Sequence, residues 1–267
     1  METNTYDGLK FQNGSFSDVI DTLTVEEAIQ IGINDQPYTV TMRTPGSDRQ
    51  LVRGLLYSED IYRRTDIPFR MMTTGLNEGG DVTAVNVVID EKDLGKGYIP
   101  TRNILSVSSC GICGKRELDD IAVEGDALSH PHKLDLQVLD QMFKQMNEQQ
   151  QAFQLSGGCH AAAAFDTKGT LYEIQEDIGR HNAVDKVIGG LLEKETLDMA
   201  QCLLVSGRVS YEIVTKAFMS DFPYLASVSA PSSLAVEYAE QLGISLLSFC
   251  RDGKATCYAN QNAIKRT

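Results

Sequence analysis

Apolar and polar positions alternate along this chain in two rhythms, and the rhythm changes near its middle. From Val25 to Asn34 the run V-E-E-A-I-Q-I-G-I-N alternates with the period of a strand. N-D-Q-P then reads as a turn and Y-T-V-T-M as a second strand, so 25–43 is expected to form a hairpin. Ser47 and Gln50 have the spacing of a capping box and open a helix through Leu51, Leu55 and Leu56. D-V-T-A-V-N-V-V-I-D predicts another strand, ended by the Gly-rich K-D-L-G-K-G-Y. Residues 1–22 read as a loose lead-in.

Past residue 130 the period lengthens. Leu136, Leu139, Met142, Phe143 and Met146 recur at helical spacing, and the polar N-E-Q-Q-Q after them reads as a linker. Strand-like and helix-like segments then take turns. Strands are expected at 160–165, 170–175, 202–205, 224–228 and 244–250, and helices at 180–194, 210–219 and 232–242. Such alternation over short connections defines a layered α/β domain. The organisation expected is a lead-in (1–22), a smaller α+β region (23–130) and an α/β domain (131–267).

Composition narrows the class. With 267 residues, 42% hydrophobic and 23% charged, the chain is of ordinary globular make-up. Its net charge of −13 argues against nucleic acid or an anionic membrane as a general partner. The N-terminus lacks the apolar run of a signal peptide and no stretch has the length of a membrane span, so a cytoplasmic location is expected. Cysteines stand at 110, 113, 159, 202, 250 and 257, too sparse for a disulfide-stapled scaffold; free thiols are expected.

The sharpest chemical feature is S-S-C-G-I-C-G-K, 108–115. Cys110 and Cys113 sit among small residues, and each thiol, with Lys115 and Arg116, favours the other's thiolate. Three readings stand open. Zinc would need two more ligands, and no second C-x-x-C exists; the adjacent Cys159-His160 pair is a poor completion. A thioredoxin-like dithiol normally follows a strand in a βαβ setting. A nucleophile carrying a transferable group, sulfur as a persulfide, is the third.

Four further loops are rich in Gly, Ser and Arg: S-G-G-C-H (156–160), E-D-I-G-R-H-N (176–182), S-G-R-V-S (206–210) and S-F-C-R-D-G-K (248–254). The first reads equally as a tight turn with a buried cysteine, and the last as a surface hairpin turning at Asp252-Gly253. In the second, Arg180 and His181 open a helix, where positive side chains are unfavourable unless an anion sits with them. Ser210 is placed to cap the helix after the third loop. In an open α/β sheet, loops at the carboxyl ends of strands surround the ligand crevice. Together the loops point to one phosphate-bearing ligand, with Arg180, His181 and Arg208 as phosphate contacts, Arg251 and Lys254 as further cations, and Phe249 stacking on a base.

These blocks, in this order and spacing, resemble the FdhD family of sulfur carrier proteins needed to make active formate dehydrogenase. The opening I-G-I-N-D-Q-P…R-T-P-G-S-D…L-V-R-G-L-L-Y-S-E-D-I and the closing F-C-R-D-G-K…Y extend the likeness over 25–258. The family's usual Gly-Phe-Leu and acidic-Gly pair are replaced around Leu55 to Asp60, and Cys250 stands where an aliphatic residue is usual. The resemblance implies a cytidine-deaminase-like layered α/β domain preceded by the smaller α+β domain. It implies a sulfurtransferase that takes sulfur from an L-cysteine desulfurase and passes it to the molybdenum bis(molybdopterin guanine dinucleotide) cofactor of formate dehydrogenase. Cys110 would bear the persulfide with Cys113 as its partner, and Phe249, Cys250, Arg251, Asp252, Gly253 and Lys254 would hold the cofactor. No permanently bound metal is expected. A homodimer offering two guanine sites to one two-headed cofactor fits this picture. The rivals are a cofactor chaperone without sulfur chemistry, a zinc-dependent deaminase-like hydrolase and a dithiol reductase; the hydrolase would need an H-x-E or C-x-E element that His160, followed by alanines, does not supply.

Overall fold

The computed structural model describes residues 2–98 and 125–266. The expected persulfide pair, Cys110 and Cys113, lies outside the described residues.

The stretch expected to be a loose lead-in is an antiparallel hairpin. β1 (Thr3–Gln12) pairs with β2 (Ser15–Thr24) over ten residue pairs. Asn13 and Gly14 both have positive φ, 53° and 82°, the requirement of a two-residue turn whose twist matches the strands. Phe11 faces Phe16 beside that turn, with ring centroids 4.9 Å apart. Nearly all of its side chains are exposed, so burial leaves no alternation for a sequence reading to find.

β3 (Glu27–Ile33) and β4 (Gln36–Arg43) form the expected second hairpin, turning at Asn34 and Asp35. With β5 (Met71–Leu76) and β6 (Val82–Val87) they make a four-stranded sheet in the order β4-β3-β6-β5, where β3 and β6 run parallel. Ile29, Ile31 and Ile33 alternate onto one face and bury against Leu51, Val52, Leu55 and Leu56 of α1 (Asp48–Ser58). The capping box expected at Ser47 does not form. Ser47 is left-handed (φ 52°) and its side chain caps nothing, while Asp48 pairs with the buried Arg43 at 2.7 Å.

The second sheet has six strands in the order β12-β11-β10-β9-β7-β8. They are β7 (His160–Phe165), β8 (Leu171–Asp177), β9 (Cys202–Val205), β10 (Tyr224–Ser227), β11 (Ser245–Arg251) and β12 (Lys254–Cys257). β9, β10 and β11 are parallel; the other pairings are antiparallel. Central strands buried on both faces read as unbroken apolar runs. Ala162, Ala164, Leu203, Val205 and Leu225 face α4 (Arg180–Glu193), α5 (Tyr211–Met219) and α6 (Ser233–Gln241). Ala163, Phe165, Leu204, Ala226 and Leu247 face α2 (Leu136–Glu148). Of the expected polar linker, 147–151, only Gln149 and Gln150 lie between helices: Asn147 and Glu148 end α2, and Gln151 opens a short helix, α3 (Gln151–Ser156).

The two sheets meet through α1 and α4. A Cβ on Gly54 would collide with the carbonyl oxygen of Asp185, and one on Gly189 with that of Gln50. Glycine here is a matter of closeness, because the two helix backbones touch. Among the described residues no helix is long and apolar enough to cross a membrane.

Candidate functional site at the strand ends

The parallel strands β9, β10 and β11 end at one edge of the six-stranded sheet, and β7, antiparallel to β9, begins there. A cavity of about 810 Å³ opens at that edge. One wall brings together two of the expected loops and the edge of a third: Gly157 to His160, Ser206, and Cys250 to Gly253. The opposite wall comes from α2 and α3 and includes Phe143, Lys144, Asn147, Gln150 and Phe153.

Local chemistry fixes the first wall. Ser206 Oγ accepts the Ala161 N–H at 2.9 Å and lies 3.5 Å from His160 Nδ1. Ser227 Oγ donates to the Gly207 carbonyl at 2.6 Å, bending the chain at the end of β9. A Cβ on Gly207 would stand 3.3 Å from both His160 Nδ1 and the Cβ of Arg180, so glycine lets α4 begin against His160. Burial, then the Arg180 charge, holds the His160 imidazole below its ordinary range. Arg180 Nε is buried without a hydrogen-bond partner among the described residues. A guanidinium so placed beside a neutral imidazole and a helix N-terminus suits an anion.

The start of α4 is tied down from below. Asp177 Oδ1 accepts the Gly179 N–H at 2.8 Å and the Asn182 amide at 3.0 Å, and its Oδ2 accepts from Lys186 Nζ at 2.7 Å. Lys186 Nζ also donates to the Thr44 carbonyl at 2.9 Å, and Asn182 to that of Met42 at 2.7 Å. The end of β4 thus orients the helix turn that carries Arg180.

The expected site residues divide. Cys250, Arg251, Asp252 and Gly253 line the cavity; Arg180 is not on its wall, but it and His160 both approach Gly207. Phe249 and Lys254 lie on the β11–β12 hairpin but not on the cavity wall. That hairpin turns at Asp252 (φ 53°) and Gly253 (φ 70°), as its reading as a surface turn predicts, and it borders the cavity as well. Arg208 is exposed beyond β9. His181, expected as a phosphate contact, is buried toward α5 instead, its Nε2 3.3 Å from Ser210 Oγ and 4.0 Å from Glu212 Oε2. Ser210 therefore meets His181 and does not cap α5 through its side chain.

Sequence reasoning missed the α2–α3 wall. Asp140, Lys144 and Asn147 form a polar stripe at helical spacing, which in sequence resembles any solvated face. Lys144 Nζ pairs with Asp140 at 2.6 Å. That bond first, and the Gly253 N–H least, hold the Asp140 carboxyl below its usual range.

The four described cysteines are poor nucleophiles. Burial pushes Cys159 up to about 11 and Cys250 to about 12, and raises Cys202 and Cys257 too. Among the described residues no group of three His, Cys, Asp or Glu side chains could hold a metal ion.

A mixed α/β protein with an anion-receptive cavity beyond its strand ends is the class this fold and site define. Within that class the chain belongs to the FdhD/NarQ family, whose model matches residues 24–265. It is 41% identical over 258 residues to the sulfur carrier protein FdhD of Mycobacterium tuberculosis, covering 91% of this chain and 92% of that one. It is 36% identical over 260 residues to the sulfur carrier protein FdhD of Sulfolobus acidocaldarius, covering 96% of both. In fold it is similar to a crystal structure described as a formate dehydrogenase accessory protein from Desulfotalea psychrophila. The TM-score there is 0.78 at 17% identity, over 99% of this chain and 100% of that one.

Proposed function

We propose that this chain is a sulfur carrier that serves formate dehydrogenase, taking persulfide sulfur onto Cys110 and delivering it to the molybdenum of a bis(molybdopterin guanine dinucleotide) cofactor. The observation that carries the reading is the cavity itself: the closing block and the G-G-C-H loop, far apart in sequence, border one anion-receptive space. The named relatives and the motif order support the sulfur chemistry. The raised thiols of Cys159, Cys202, Cys250 and Cys257 leave Cys110 and Cys113 as the candidates for a thiolate.

In the first step the Cys110 thiolate attacks the outer sulfur of the persulfide on an L-cysteine desulfurase. A sulfur–sulfur bond forms on Cys110 and the desulfurase cysteine leaves as thiolate. In the second, the Cys113 thiolate attacks Cys110 Sγ. The two protein thiols are oxidised to a disulfide while the outer sulfur leaves, reduced, as hydrosulfide for the molybdenum; a cellular thiol then resets the pair. The cofactor is substrate here. Arg180, His160 and Arg251 would hold its phosphates, and positioning near Cys110 replaces an encounter in solution. The mixed six-stranded sheet with helices on both faces supports a deaminase-like layering of the domain. A homodimer would present two such cavities to the two nucleotide ends.

The test is intact mass after incubation with a desulfurase and L-cysteine. Wild type should gain one sulfur and Cys110→Ala none, whereas Cys113→Ser should load but fail to discharge. No gain in either wild type or Cys110→Ala sinks sulfur transfer and favours a cofactor chaperone built on the same cavity.

A further inference from the structure

Arg53, midway along α1, is a buried charge without a counter-ion. It is 4% exposed and forms no ion pair among the described residues. Its guanidinium donates to the carbonyls of Tyr62 at 3.0 Å and Arg64 at 2.6 Å. It stands 5.6, 5.2 and 5.3 Å from the ring centres of Tyr57, Tyr62 and Phe69. The carboxylates around it are engaged elsewhere. Glu193 pairs with Arg49 at 2.7 Å, and Asp66 and Asp93 each pair with Arg64 at 2.7 Å. Buried charges are paired as a rule. Burial, the largest influence on Arg53, holds it below the ordinary arginine range against the opposing pull of Tyr62 and Tyr57.

Arg53 lines a second cavity, of about 510 Å³, which shares no wall residue with the one at the strand ends. Its walls are α1, the 65–69 loop and the end of α4. Three kinds of group converge on it. Arg49 and Arg53 bring positive charge. Glu195, exposed and in no ion pair among the described residues, brings negative charge. Ile67, Pro68, Phe69 and Leu192 bring apolar surface. From Arg49 to Arg70 the chain carries five arginines against three acidic residues, on a protein of net charge −13, so the field here favours an anion. Asp66, Glu193 and Glu195 would repel a multiply charged phosphate, whereas a single carboxylate fits the fork of a guanidinium.

We propose that this second cavity binds a free α-amino acid with an apolar side chain: its carboxylate on Arg53, its ammonium toward Glu195 and its side chain against Phe69 and Leu192. The carboxylate supplies the counter-ion that the fold withholds from Arg53. The opposite charges of the cavity then match those of a zwitterion, and the apolar wall takes what lies beyond them. The site stands apart from the sulfur chemistry and does not depend on it.

Calorimetric titration of the full-length chain with L-leucine tests this, beside three probes. N-acetyl-L-leucine keeps the carboxylate alone, L-leucinamide keeps the ammonium alone, and inorganic phosphate is a plain anion. L-leucine should bind, with L-leucinamide weaker by about tenfold or more, the worth of charge-assisted hydrogen bonds to Arg53. N-acetyl-L-leucine should be about threefold weaker, as befits an exposed ion pair. Arg53→Met should lower L-leucine affinity by about tenfold or more. Glu195→Gln, a surface change, should lower it about threefold and leave N-acetyl-L-leucine untouched. Should Arg53→Met melt below the titration temperature, the probe series and Glu195→Gln decide. Equal affinity for L-leucine and N-acetyl-L-leucine overturns the amino-acid assignment in favour of a peptide carboxyl terminus. No binding of L-leucine at millimolar concentration, or its displacement by phosphate, overturns the proposal outright.

Discussion

Lys186 Nζ lies 2.7 Å from Asp177 Oδ2, and neither side chain exposes more than 2% of its surface. The pair joins the end of β8 to α4 and, through the Thr44 carbonyl, to the end of β4. Taking Lys186 away strands a carboxylate in the interior. Lys186→Met should therefore cost about 3–5 kcal/mol, and the double variant with Asp177→Asn should recover part of the loss. Urea unfolding of the two variants beside wild type checks both statements.

Gly189→Ala raises intrinsic helix propensity by nearly 1 kcal/mol at an interior position. Here it should destabilise all the same, because the new methyl meets the Gln50 carbonyl of α1. Overpacking of about 1–3 kcal/mol outweighs the propensity gain. A midpoint above wild type in thermal melting would contradict the backbone contact.

Thiol reactivity should be sharply divided. In the folded protein at neutral pH, iodoacetamide should modify Cys110 and Cys113 first, while Cys159, Cys202, Cys250 and Cys257 stay protected by burial and raised pKa. In denaturant all six should react at comparable rates. Peptide mapping of a time course gives the order directly, and early labelling of Cys159 would count against its burial.

His130 and His160 are both held below the ordinary histidine range by burial, His160 by the Arg180 charge as well. Once unfolded, each takes up a proton below about pH 6.5. The unfolded chain then binds more protons than the folded one, so stability is lost as pH falls through that window and regained as it rises. Urea midpoints measured between pH 7.5 and 5.5 should fall, and His160→Gln should flatten the decline.

How legible all this is in the sequence depends on burial. The strand at Cys202–Val205 falls where its unbroken apolar run places it, because both faces are covered and every side chain is apolar. β1 and β2 carry an Asn-Gly turn signal between Phe11 and Phe16, but their residues bury on no core and leave no clean period. β5, M-M-T-T-G-L, is hidden for the same reason, lying half-exposed at a sheet edge. Of the site, the loops at strand ends can be read from their glycines and arginines. Gln150 cannot, since within N-E-Q-Q-Q only its place between two helices sets it apart from its polar neighbours. His181 misleads because a helix N-terminus has two sides, and the sequence does not say which one meets the cavity.

The contact of Gly54 with Gly189 has a mechanical meaning. Side chains at a helix crossing can change rotamer and absorb small displacements, but backbone resting on backbone has nothing to yield. α1 and α4 thus act as one strut, rooted in the four-stranded sheet and ending in the turn that carries Arg180. Among the described residues, the N-terminal region contributes no side chain to the wall of the strand-end cavity. Its sheet nonetheless forms part of the frame that sets the cavity's dimensions, and a shift there would arrive at Arg180 undamped.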